Sequence, residues 1–314
     1  MRKKLVFWLK GLVLFGFCVV SIFLLGAGFN NTSYAYAEEG AIDSGPFSEA
    51  DANAHPVNGW DSKKEHYYEN GQQVCSKEIY DAKDKNWYWI DTNGSVARNK
   101  DVYLQSNGGK WVRYDAAGHM VKGEDYRYGA WYYFDTTTGA MAKGITHVSS
   151  NGGKWVYYDL TTGKMLYGER YVNYDQSHAG WYHFDENIGA MSYGFYFNSP
   201  QHKWVYYDHA SGQMLYGEQL INGHWYDFDE STGAMQYGFV HLSKSQKWVF
   251  YDRRMGWMLY GERPIDGAWY LLDTHTGAVQ YGWQRLGGKT VCYSWPSGKM
   301  LYGKQNVNNA TYYF

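Results

Sequence analysis

Internal repetition constrains this chain more than any other feature of its sequence. Two units alternate. One reads K-W-V-x-Y-D-x-x-x-G-x-M-L-Y-G-E, at 154–169, 203–218 and 247–262, with a copy one residue shorter at 110–124. The other reads W-Y-x-F-D-x-x-x-G-A-M-x-Y-G-F, at 181–195 and 225–239, with looser copies starting at Trp131 and Trp269. Like units recur about every 44 residues, so half-units follow one another roughly every 21 to 24 residues. A period of that size marks units that touch only their neighbours in the chain.

Each half-unit reads as a β-hairpin. An aromatic run such as 131–134 meets Asp135 and a polar stretch that ends at Gly139, and a short run, 140–143, follows up to Gly144. Asp at the start of a turn accepts hydrogen bonds from the backbone ahead of it, and Gly supplies positive φ at the turn's close. Aromatic residues make up 20 % of the chain, with 37 Gly and 5 Pro, which favours small aromatic clusters between tight turns over one large aliphatic core. A lone hairpin is marginal in water, so the units are expected to stack. The expected fold is all-β: a solenoid of about ten hairpin half-units.

Period-two alternation assigns the faces. Counting the tryptophan as position zero, positions one and three are apolar: Tyr132 and Phe134, Val156 and Tyr158, Tyr182 and Phe184, Val205 and Tyr207. Position two varies freely, as Arg113, Tyr133, His183, Asp227 and Leu271, and is expected to face water together with the tryptophan.

The N-terminus reads as an export signal over 1–37. Arg2, Lys3 and Lys4 precede an apolar run from Gly11 to Phe29, and Ala35-Tyr36-Ala37 supplies a cleavage site. The apolar run is also close to the length of an uncleaved anchor. A flexible leader is expected over 38–61, degenerate or capping repeats over 62–104, and the main array over 105–314. The array is expected to stop mid-hairpin, with 311–314 as a first strand that has no return. Loss of Arg2, Lys3, Lys4 and Lys10 with the signal leaves 25 of 29 basic residues against 31 acidic ones, a mature charge of −6. That excludes a phosphate-neutralising nucleic-acid binder. Cys75 and Cys292 lie near opposite ends of the array, too far apart for a disulfide.

Gly180-Trp181-Tyr182, with Asp185, Gly189, Met191 and Gly194, resembles the choline-binding and cell-wall-binding repeat family. The resemblance extends over about 86–314 and implies hairpins with shallow aromatic pockets between successive units. Carried onto this sequence, the strand position falls on Trp131, Trp155, Trp181, Trp204, Trp225, Trp248 and Trp269. The position after the closing glycine holds Trp283 once, and Phe195 or Phe239 elsewhere; Ile145 takes it in one unit. In other units it is Glu124, Glu169, Glu218 or Glu262, expected to pair with lysines such as Lys154 or Lys203. The aromatic residues among these are the expected ligand platform. The ligand is expected to be a bacterial cell-wall polymer (peptidoglycan, teichoic acid or glucan), bound through choline or through sugar.

No catalytic residue, cofactor or metal site is expected. Asp115, Asp135, Asp159, Asp185, Asp208, Asp229, Asp252 and Asp273 recur in one turn slot, which suits a turn rather than a glycosidase pair. The histidines, His119, His178, His209 and His241 among them, show no metal-ligand spacing. The reading is a non-catalytic module, secreted and held non-covalently on the bacterial wall, with neither nucleic acid nor, after signal cleavage, membrane as partner. The alternatives are the targeting half of a lysozyme or amidase whose catalytic domain lies elsewhere, and a surface adhesin or glucan-binding protein.

Overall fold

The computed structural model describes residues 55–173 and 175–314. The stretch read as an export signal, 1–37, and most of the stretch read as a leader lie outside the described residues. The described chain is β-strand and turn, with three short 3-10 turns at Ser106–Gly108, Ser150–Gly152 and Ser199–Gln201. Its first strand, Gly59–Trp60, falls inside the stretch read as leader and pairs with Tyr67–Glu69, which in turn pairs with Gln72–Gln73.

Eleven antiparallel hairpins follow, each in a sheet of its own. In chain order they span 77–90, 100–114, 123–134, 144–158, 168–184, 194–207, 217–228, 238–251, 261–272, 282–293 and 304–313, and are numbered 1 to 11 here. Each even hairpin from 2 to 8 carries the K-W-V strand; each odd one from 3 to 9 carries the second unit's strand.

The hairpins are offset by half a unit from the sequence reading. The tryptophan strand pairs with the strand before it: Ala130–Phe134 lies against Gly123–Arg127, with the turn at Tyr128-Gly129. The run after the Asp loop is only a short third leg, tied to its own hairpin by a bridge such as Phe134↔Met141. The Asp-x-x-x-Gly loop, read as the hairpin turn, instead returns the chain toward the preceding hairpin. Residues 310–313 are accordingly the second strand of hairpin 11, paired with Lys304–Val307, and not an unpaired first strand.

The third leg stitches the stack. The Met141 amide donates to the Trp111 carbonyl of the preceding hairpin at 2.7 Å, while the next amide, Ala142, donates to Tyr133 of its own hairpin at 2.8 Å. Met191 to Trp155, Met214 to Trp181, Met235 to Trp204 and Met258 to Trp225 repeat the link, each at 2.8 Å. The methionine side chain fills the space beneath the next loop's glycine. A Cβ on Gly212, whose φ is +75°, would overlap Met191 Sδ. The Asp carboxylate orders the loop between: Asp208 Oδ1 accepts from the Ala210 amide at 3.0 Å and from the Ser211 amide at 2.8 Å.

Positions one and three form the core, with Phe134, Tyr158, Phe184, Tyr207 and Phe228 fully buried. Position two departs from expectation. Arg113, His183, Asp227 and Leu271 are buried, each less than a tenth exposed. The face opposite a hairpin's core is covered by the next hairpin, whose position-three ring lies against it. Tyr157 stacks on Phe184 at 5.8 Å, and the Arg113 guanidinium lies 5.1 Å from the Phe134 ring. Cys75 is exposed and Cys292 buried, and both are free thiols.

Candidate aromatic binding sites

The strand tryptophans lie at the edge of the stack. Trp131, Trp155, Trp181, Trp204, Trp225, Trp248 and Trp269 are each between 39 and 47 % exposed. One side of each indole rests on the residue directly across its hairpin. Trp204 meets Phe197 at 5.3 Å, Trp181 meets Tyr171 at 5.5 Å and Trp248 meets His241 at 5.2 Å. This cross-strand contact fixes the ring and leaves part of it wet.

What borders each tryptophan depends on the interface, and two kinds alternate. Where an odd hairpin precedes an even one, the residue after the closing glycine is glutamate and the next hairpin brings a buried tyrosine. The Tyr293 hydroxyl donates to Glu262 Oε1 at 2.9 Å, and Glu169 accepts from Asn198 Nδ2 at 2.6 Å. Burial first, and then the neighbouring glutamate, push the hydroxyls of Tyr158 and Tyr207 well above the usual phenol range. The expected lysine–glutamate bridges do not form. Lys154 Nζ donates to the Ile188 carbonyl at 2.7 Å and Lys247 Nζ to the Thr276 carbonyl at 2.7 Å, while Lys203 Nζ donates to the Thr232 carbonyl. These lysines tie down loop carbonyls that the Asp turn leaves open, and so never reach the glutamates.

Between hairpins 6 and 7, and again between 8 and 9, the even-to-odd interface is lined by aromatic and other apolar side chains. Between hairpins 6 and 7, Phe195, Trp204, Tyr226, Met235 and Tyr237 line a pocket of about 310 Å³, with Arg254 and Met255 of the following loop. Phe195 lies 5.1 Å from Tyr226. Between hairpins 8 and 9, Phe239, Trp248, Val279, Tyr281, Pro296 and Ser297 line a second, of about 190 Å³, and Phe239 lies 4.9 Å from Tyr270.

The structure therefore brings Phe195 together with Trp204, and Phe239 with Trp248. Trp181, Trp225 and Trp269 sit at interfaces where a glutamate and a valine replace the aromatic walls, as Glu218 and Val249 do beside Trp225. Trp131 has Glu124 in the same place, and Trp155 has Ile145. Trp283 meets Tyr312 at 4.8 Å, but Thr290 stands where its hairpin would carry the strand tryptophan. Sequence reasoning missed Tyr226 and Tyr270, and with them Tyr237 and Tyr281. Their signal was present: position one is tyrosine in odd hairpins and valine in even ones.

A serial stack of β-hairpins with half-exposed indoles along its edge defines a repeat protein built to present the same aromatic surface many times. Residues 104–144 and 200–237 match the model of the choline-binding repeat. Two solved structures from Streptococcus pneumoniae share the fold. CbpJ is 22 % identical, with a TM-score of 0.59 over 79 % of this chain and 94 % of its own. Choline binding protein F is 20 % identical, with a TM-score of 0.57 over 82 % of this chain and 96 % of its own. No curated protein sequence matches the chain.

Proposed function

We propose that the chain is a non-catalytic cell-wall-binding module, its hairpins ordered as a solenoid, that holds choline groups of a teichoic acid at the interfaces between hairpins 6 and 7 and between 8 and 9. The observation that carries this reading is the aromatic cluster of Phe195, Trp204 and Tyr226, repeated one period later by Phe239, Trp248 and Tyr270. A quaternary ammonium has no N–H to donate, so its recognition depends on several π-faces around it, worth about 0.5–2 kcal/mol each. No carboxylate lines either of the two pockets.

Arg254 in the first pocket refines the ligand. A guanidinium in the wall disfavours a bare cation and favours a zwitterion whose anionic group it can meet. Phosphocholine carries that pair of charges, as does a phosphodiester polymer substituted with choline.

The test is retention of the full chain on immobilised choline, with elution by free choline or phosphocholine. Retention, choline elution, tighter binding of phosphocholine than of choline, and weakened retention in Trp204→Ala are expected. A chain that passes through immobilised choline yet sediments with cell walls, and is displaced only by soluble glycan, would replace choline with sugar as the ligand.

A further inference from the structure

Directly across hairpin 7, Glu218 pairs in register with Asp227. Like charges opposite each other on neighbouring strands destabilise a hairpin. Here one of them, Asp227, is only 9 % exposed, and its carboxylate makes no hydrogen bond among the described residues. Both carboxylates line a cavity of about 450 Å³ between hairpins 7 and 8, together with Glu230, Gln236, Ser243 and Lys244.

Two other pairs of neighbouring carboxylates in the chain hold a cation between them. In hairpin 2 the residue across from Asp101 is Arg113, which donates to Asp101 at 2.6 Å and 2.9 Å and to Asp125 at 2.9 Å. Near the N-terminus the Lys64 ammonium sits between Asp81 at 2.7 Å and Asp84 at 2.5 Å, donates to the Tyr88 hydroxyl at 2.8 Å, and lies 4.4 Å from the Tyr88 ring centroid. At Glu218 and Asp227 no such group is built in. Lys244, the one cation lining the cavity, is 86 % exposed and bridges Glu230 instead, at 3.0 Å.

We propose that this cleft is a second binding site, distinct from the aromatic pockets, and that it takes a primary ammonium group between Asp227 and Glu218. A primary ammonium donates three hydrogen bonds, so it satisfies two carboxylates that a quaternary ammonium, with no donor, leaves unpaired. Metal coordination does not fit. Among the described residues no three His, Cys, Asp or Glu side chains are grouped closely enough to hold an ion. The Asp227 carboxyl is also pushed up to about 6, by burial first and then by Glu218, Glu230 and Asp229. A bound ammonium offsets that cost by keeping the carboxylate charged.

Calorimetric titration of the full chain with ethanolamine at neutral pH tests the site, with choline as the probe that lacks N–H. Ethanolamine is expected to bind, with at least roughly tenfold loss of affinity in Asp227→Asn and in Glu218→Gln and no change in Trp204→Ala. Lys244→Met, which removes a competing cation, is expected to keep or tighten binding. Glucosamine and alanine methyl ester, titrated alongside, separate an amino-sugar source of the ammonium from an aminoacyl-ester source. Asp227→Asn relieves a like-charge pair and should fold, which circular dichroism checks. Ethanolamine that does not bind, that binds Asp227→Asn as well as the parent, or that needs Lys244 would overturn the proposal. Choline retention in Asp227→Asn reads the aromatic pockets independently, so the two readings fail separately.

Discussion

Gly212 carries two constraints at once. Its positive φ strains any L-residue, and the methionine of the preceding third leg fills the space its Cβ would need. Gly212→Ala should therefore cost about 1–2 kcal/mol for the backbone and about 1–3 kcal/mol for the overlap, a lowered unfolding midpoint that thermal denaturation would read. The glycine itself is obvious in the D-x-x-x-G motif, but its partner is not, because Met191 lies 21 residues away and belongs to the previous hairpin. The same limit explains position two. Arg113, His183 and Asp227 vary as surface residues do, yet each is buried. His183 Nδ1 finds Ser192 Oγ at 2.8 Å and its ring lies 4.0 Å from Tyr196; Arg113 finds two aspartates. A neighbouring hairpin can supply a different partner for each residue, so variety along a repeat does not imply exposure.

At the level of the hairpin, the period was legible and the phase was not. The aromatic run and the Asp loop are adjacent in sequence, and adjacency suggested that they form one hairpin. Pairing is decided instead by the tighter two-residue turns on the other side of the aromatic run, such as Tyr128-Gly129 and Asn222-Gly223, both with positive φ throughout. Asn-Gly at 222–223 was available as the stronger turn signal. Hairpin 7 also carries a pH prediction. Asp227 is pushed up to about 6 in the fold against 3.8 for a free aspartate, so the folded chain binds more protons than the unfolded one between those values. Stability from this group is full below about pH 4 and falls as pH rises through about 6, with Glu218, Glu230 and Asp229 opposing its charge and Lys244 favouring it. Unfolding midpoints across that range should fall more steeply in the parent than in Asp227→Asn. At neutral pH the variant should be the more stable, by about 2–3 kcal/mol at most.

Across the whole array, the two interface types set how many sites a polymer meets. The two fully aromatic ones lie one long period apart, and the interface between them carries Glu218 and a valine instead. Sites joined on one support gain about 100- to 10,000-fold in avidity when the ligands match their spacing. Trp204→Ala should therefore weaken binding to a choline-bearing polymer by at least roughly tenfold while the remaining pocket's affinity for free choline stays unchanged. Comparison of polymer and monomer titrations checks this. That the array would offer aromatic faces at its edge was readable from the repeated tryptophans. Which interfaces would complete a pocket was not, since that depends on Tyr226 or Val249 arriving from the following hairpin.

The backbone links run one way. The Met141 amide reaches back to Trp111, Met214 to Trp181 and Met258 to Trp225, so each newcomer seals itself onto a template laid down before it. A chain that emerges amino end first can click shut unit by unit, its leading part finished while the rest is still in transit. Threaded tail first, every unit would have to wait for its anchor. Nearest-neighbour architecture thus gives this molecule a natural direction of assembly.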